Sequence, residues 1–190
     1  LLVGGNLLSV GFSDVSFIPV HNLAEWDGAE WSSIGTAAEN GVNGRVLGLG
    51  NSADRLYVGG EFGEAGSTLV NSIATWDGAS WGAIGSPEGM GVNGVVHALV
   101  RFNGQTYIGG SFTRVGQTDA KRIARWDGTA WHSLGTGDQN GVGSGFGEVF
   151  AILVDGSDLY VGGNFNDAGG ERAENLARWD GTQWHPILDG

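Results

Sequence analysis

Apolar residues in this chain fall in short alternating runs, and none keeps the 3.6-residue spacing of an amphipathic helix. The clearest set lies between residues 95 and 134. Residues 95–102, 105–112, 122–126 and 130–134 are rich in Val, Ile, Leu, Tyr, Phe or Trp and are bounded by Gly, Asn or Asp. This predicts four β-strands and essentially no helix. Asn103-Gly104 separates the first two runs, and both residues tolerate positive φ, so a tight hairpin is expected there. Asp127-Gly128 separates the last two and predicts a second hairpin of the same kind. Asp155-Gly156 and Asp180-Gly181 are the equivalent turns further on.

The same pattern occurs four times. A hydrophobic-Tyr-hydrophobic run enters a glycine pair at Gly59-Gly60, Gly109-Gly110 and Gly162-Gly163, and a worn copy ends on Gly4-Gly5. Each is followed by Trp-Asp-Gly and a second Trp: Trp26 and Trp31, Trp76 and Trp81, Trp126 and Trp131, Trp179 and Trp184. A fixed period of roughly 50 residues is the signature of a repeat architecture such as a solenoid or propeller. The repeats run over about residues 1–43, 44–93, 94–146 and 147–190, as one domain or an excerpt of one. Two irregularities stand out: extra residues within 13–20, and a glycine-rich insertion within 141–147. Four antiparallel strands per period predict an all-β propeller with four blades from this chain. The first blade lacks its inner strand, and the open blade edge this leaves is a candidate for self-association. Paired glycines remove a side chain from both faces of a strand at one level, which lets neighbouring groups approach the backbone. The tryptophan pairs are the expected filler of that space.

The hydrophobic-Tyr-hydrophobic-Gly-Gly strand, followed by a strand ending in an aromatic, a turn and a Trp, resembles the kelch repeat of galactose-oxidase-like propellers. The longer form Leu-Tyr-Val-Gly-Gly-x-Phe-x-x-Ala-Gly looks closest to repeats of secreted bacterial surface proteins and of fungal cortical-marker proteins. The resemblance spans all four repeats and implies an extracellular or cell-surface propeller. It does not carry over the copper chemistry of galactose oxidase, which needs a cysteine–tyrosine pair, because the chain has no cysteine. WD repeats share Trp-Asp but run shorter, and sialidase boxes place the Asp five residues before the Trp rather than four. A fold hosts many functions, so the resemblance speaks for architecture more than for activity.

Composition narrows the partners. Net charge is −12 and Lys121 is the sole lysine. Such a surface repels phosphate backbones and anionic membrane surfaces, which argues against nucleic acid. No apolar run is long enough for a transmembrane helix, so no membrane insertion is expected. Without cysteine there are no disulfides, thiolate nucleophiles or cysteine-based metal sites.

Candidate chemistry is sparse. No Ser-His-Asp set, paired-carboxylate motif or phosphate loop is recognisable, so catalytic residues and a cofactor are not expected. The Asp of each Trp-Asp-Gly suits a turn better than a metal. The stretch from Asp138 through Asn140 to Gly143 has acceptors at the first and third calcium-loop positions and Gly at the sixth, but Val142 and Val149 stand at positions five and twelve, where ligands are needed. Calcium is therefore a weak reading of what is first a long loop between repeats. That loop, with Phe146 at its tip, is the foremost contact candidate. The apolar insertion with Phe17 and Ile18 is either a second contact or a cover for the incomplete first blade. The function expected is a non-enzymatic binding or assembly module acting through its loops on a protein or glycan at the cell surface. A lectin-like propeller is the alternative, and a sialidase- or oxidase-type enzyme is a distant third.

Overall fold

A computed structural model describes residues 1–11, 17–36, 39–85, 91–143 and 145–187. The protein is all-β; among the described residues the single helical turn is a 3-10 turn at Gly137–Gln139. Each of the last three repeats forms a four-stranded antiparallel sheet in simple meander order. The first strands are Arg45–Asn51, Val96–Phe102 and Glu148–Asp155. The second are Leu56–Glu61, Gln105–Gly110 and Asp158–Asn164; the third are Ile73–Trp76, Ile123–Trp126 and Leu176–Trp179. The fourth are Trp81–Ala83, Trp131–Ser133 and Trp184–Pro186. The first repeat forms a three-stranded sheet of Leu2–Gly4, Leu23–Trp26 and Trp31–Ser33, with no first strand among the described residues.

Each repeat also carries a feature that the four-strand reading missed. A small hairpin is inserted between the second and third strands: Glu64–Ala65 with Thr68–Leu69, Arg114–Val115 with Thr118–Asp119, and Asp167–Ala168 with Glu171–Arg172. In the first repeat it is Ser9–Gly11 with Phe17–Pro19, so Phe17 and Ile18 lie in a lengthened version of a recurrent hairpin rather than in a loop. In the last three repeats the small apolar residue of each hairpin is bridged to a segment between the sheets: Ala65 to Val42, Val115 to Val92 and Ala168 to Val142.

The turns divide by chemistry. Asn103 and Gly104 both have positive φ, as a two-residue hairpin between the paired Phe102 and Gln105 requires. In the last repeat the two-residue loop is shifted by one. Asp155 pairs with Asp158, so Gly156-Ser157 forms the turn with positive φ at Gly156 alone. The Trp-Asp-Gly turns are of another kind, contrary to expectation. Trp126 pairs with Trp131, which leaves a four-residue loop closed by the Asp127 side chain.

The sheets stack face to face through three apolar clusters, one at each junction. Between the second and third repeats, Tyr57, Ile73 and Ile84 meet Val96, Ile108, Phe112 and Trp131. Between the third and fourth, Tyr107, Ile123 and Leu134 meet Val149, Val161, Phe165 and Trp184.

The glycine pairs sit at these junctions, but the indoles do not fill them. A Cβ placed on Gly59 would lie 2.6 Å from Val96 Cγ1, and one on Gly4 or Gly109 would overlap Val46 or Val149. The next repeat's first strand therefore fills the space, through a Val and a following Leu or Ile (Leu49, Leu99, Ile152). The reason is register. The second and third strands are antiparallel, so Trp76 stands opposite Leu56 while Gly59 stands opposite Ile73, which separates them by roughly 10 Å along the strand. In the three four-stranded sheets the second glycine of the pair serves the sheet itself. A Cβ on Gly60, Gly110 or Gly163 would run into the carbonyl of Arg45, Val95 or Glu148, where the first strand bulges past it. Tryptophan has a different task. Trp81 Nε1 donates to Glu39 O at 3.3 Å and Trp184 Nε1 to Leu134 O at 2.9 Å, tying the outer strands of the second and fourth repeats to the segments that link the sheets.

Candidate functional site

The stack has two ends with different chemistry. At one end lie the Trp-Asp-Gly turns. Asp27 Oδ1 accepts from Ala29 N and Glu30 N at 2.7 and 2.8 Å, and Asp77 Oδ1 from Ala79 N and Ser80 N at 2.9 and 2.7 Å. Asp127 and Asp180 repeat the arrangement. These are Asx turns, in which the carboxylate stands in for a backbone acceptor. In the last two repeats the second oxygen meets His132 or His185 Nε2 at 2.6 Å. Donors favour the charged form, so all four carboxyls titrate below the usual range. For Asp127 the main cause is the amides of Ala130 and Thr129, then the Thr129 hydroxyl and His132. For Asp180 it is His185, then Thr182 and Gln183. The carboxylates are committed to structure, and each indole pair flanks such a turn with ring centroids 5.3–5.5 Å apart.

The opposite end presents exposed apolar side chains beside charged ones such as the Arg45–Glu61 pair. Each first strand bulges across from the glycine pair, and the extra residue there is Leu47, His97 or Phe150. A bulge re-aims its side chain. Leu47 and Phe150 are exposed, and the His97 ring packs on Phe150 with centroids 5.3 Å apart. His97 Nε2 lies 4.0 Å from Glu148 Oε2. The loop with Phe146 leads directly into the strand that carries Phe150. Phe146 is fully exposed, yet its loop is held from below. Arg122, itself buried, donates through Nε to Gly147 O at 3.0 Å and through its terminal nitrogen to Gly145 O. Arg122 takes a left-handed φ of 62° at the head of its third strand, as Asn22, Ser72 and Asn175 do at the equivalent positions.

The remaining sequence candidates separate. Phe17 is exposed on the lengthened hairpin, with Ile18 half-buried beside it; the rest of that insertion, residues 13–16, lies outside the described residues. Asp138 is exposed in the 3-10 turn, whereas Asn140 is buried and donates from Nδ2 to Asp119 O at 2.8 Å. Among the described residues no three His, Cys, Asp or Glu side chains are grouped as a metal centre would need. Leu47, His97, Phe150 and Arg122 were not marked as site residues by the sequence. The usable signal was the variable residue inside Val-x-(Gly/Ala)-(Leu/Ile), present as Val46 to Leu49, Val96 to Leu99 and Val149 to Ile152.

Comparison with known proteins matches the chain to no family model and to no curated protein.

Proposed function

We propose that these sheets are blades of a kelch-like β-propeller, set radially about an axis lined by the first strands, and that the protein is a non-enzymatic binding or assembly module at or outside a cell surface. Its binding surface is the bulged end of the first strands together with the loop bearing Phe146. One observation carries the reading: a fully exposed phenylalanine is presented on a loop that a buried arginine holds in place. Exposed aromatics on a pre-organised frame are how interfaces gain affinity without an ordering cost. The neighbouring Phe150 and Leu47 extend the surface, and their apolar character favours a protein ligand over a sugar. Calcium has no part in this reading.

The test is a panel of purified cell-surface proteins beside a glycan array, each probed with the wild-type chain and with Phe146→Ser/Phe150→Ser. A protein ligand is expected, bound at least tenfold more weakly by the double variant, which is about 1.4 kcal/mol, with an unchanged far-ultraviolet spectrum. Retention of glycans alone would make the protein a lectin. Ligands bound equally by both forms would move the site elsewhere.

A further inference from the structure

The outward face of the fourth sheet is built like a junction that has no second half. In the third repeat Tyr107, Ile123 and Leu134 are buried by the following sheet. Their counterparts Tyr160, Leu176 and Ile187 are not buried; Leu176 is 40% exposed where Ile123 is 0%. On the first strand, Leu153 is 63% exposed, while its counterpart Val100 packs into the junction cluster. The glycine step is open as well. A Cβ on Gly162 would meet nothing nearer than Asn175 O at 3.9 Å, whereas one on Gly109 would overlap Val149.

The molecule shows three times what covers such a face. Val46 and Leu49 seat over Gly4, Val96 and Leu99 over Gly59, and Val149 and Ile152 over Gly109. We infer that the face around Gly162 is a socket for the first strand of a further repeat, one presenting Val-x-(Gly/Ala)-(Leu/Ile) with the Val over Gly162 and the Leu or Ile between Tyr160 and Leu153. A second copy of this chain does not fit the vacancy. All three of its own segments of this form are already seated on a preceding sheet, so it has none to offer. The match is one of shape: a β-branched knob enters a notch that only glycine leaves open. The inference concerns repeat-to-repeat packing and stands apart from the ligand surface proposed above.

A chain extended by a copy of residues 88–134 after Gly190 keeps the eight-residue interval that separates Ile84 from Val92. Leu153→Cys gives the sole thiol for labelling, since the chain has no cysteine. In the unextended chain this thiol is expected to react with maleimide as an exposed one does. In the extended chain it is expected to react at least tenfold more slowly, with amide exchange across 159–163 slowed in step. Two changes should each abolish the protection: Gly162→Val, which fills the notch, and Val96→Asp in the appended copy. Gly162→Val should leave the unextended chain's melting temperature unchanged, which separates socket blocking from misfolding. Equal labelling in extended and unextended chains would overturn the inference, and so would protection that survives both changes. Protection of Leu153 in the unextended chain accompanied by a dimeric solution mass would assign the face to a second copy and overturn the occupant named here.

Discussion

Gly109 and Gly162 hold the same place in the same motif, Tyr-hydrophobic-Gly-Gly-x-Phe, and each precedes a glycine that a bulging strand crowds. Around Gly109 every approach is occupied by Val149 and Ile152; around Gly162 the nearest atom is a carbonyl at ordinary contact distance. The second glycines show no such difference, because Gly110 and Gly163 face the carbonyls of Val95 and Glu148 within their own sheets. A repeat thus contains two kinds of constraint. One is satisfied inside the unit and recurs in each of the three four-stranded copies. The other exists only where a neighbour supplies the second surface, so its strength depends on position in the array.

Glycine substitutions break that comparison most forcefully. Gly110→Ala and Gly163→Ala should both be severely destabilising, since backbone carbonyls stand where the methyl would go and cannot retreat as a side chain could. Gly109→Val should cost about 1–3 kcal/mol or more through overpacking. Gly162→Val should fall within about 0.5 kcal/mol of the parent, as substitutions away from packed features do. Denaturant midpoints for the four variants check the pattern, and equal losses at Gly109 and Gly162 would erase the distinction between closed and open junctions.

Truncation of the partner side chains sharpens the same contrast at lower cost. Ile123 is fully buried at the third junction, and Ile123→Ala should lose about 2–5 kcal/mol. Leu176→Ala removes a side chain that is 40% exposed where Ile123 is fully buried, and should lose less than Ile123→Ala, about 1 kcal/mol. Thermal unfolding of the two variants gives the ratio.

The smallest effect tests the constraint that should ignore position. Asp127 and Asp180 belong to repeats on either side of the third junction, yet their turns share one chemistry. Each carboxyl titrates lower in the folded chain than in the unfolded one, where it is near 3.9. Its stabilising contribution is therefore present above about pH 4 and is lost as acid takes the pH down toward the folded value. Melting temperatures should fall below about pH 4 in the parent. Asp127→Ala and Asp180→Ala should each flatten that fall by a similar amount, and a marked inequality would show that the open face weakens even the local turns.

Much of the fold was legible because its signals are local. Alternation and the Asn103-Gly104 turn placed the strands of the third repeat to within a few residues at their ends, and the period counted the sheets. The small hairpins escaped because two-residue strands such as Arg114–Val115 leave no alternation to read. Their left-handed glycines Gly66, Gly116 and Gly169 were present in the recurring Ala-Gly or Val-Gly step. The filler of the glycine notch was misassigned to tryptophan, although antiparallel register alone puts Trp76 opposite Leu56 rather than Gly59. At the candidate surface, Phe146 could be picked from an insertion in a regular period. Phe150, His97 and Leu47 stand at the variable place of the recurring Val-x-(Gly/Ala)-(Leu/Ile) motif, but nothing in that motif marks a bulge, which depends on how two strands meet. Arg122 was also beyond reach, because its partners are carbonyls more than twenty residues away.

By itself the sequence determined the repeating unit: its strands, its turns and the glycine that its own bulged strand crowds, all set by interactions within one repeat. Tertiary structure decided which identical motifs are closed and which are open, and where the bulged side chains point. Those outcomes depend on surfaces that only a neighbouring sheet can bring, and steric fit between separate strands has no counterpart in the order of residues within one.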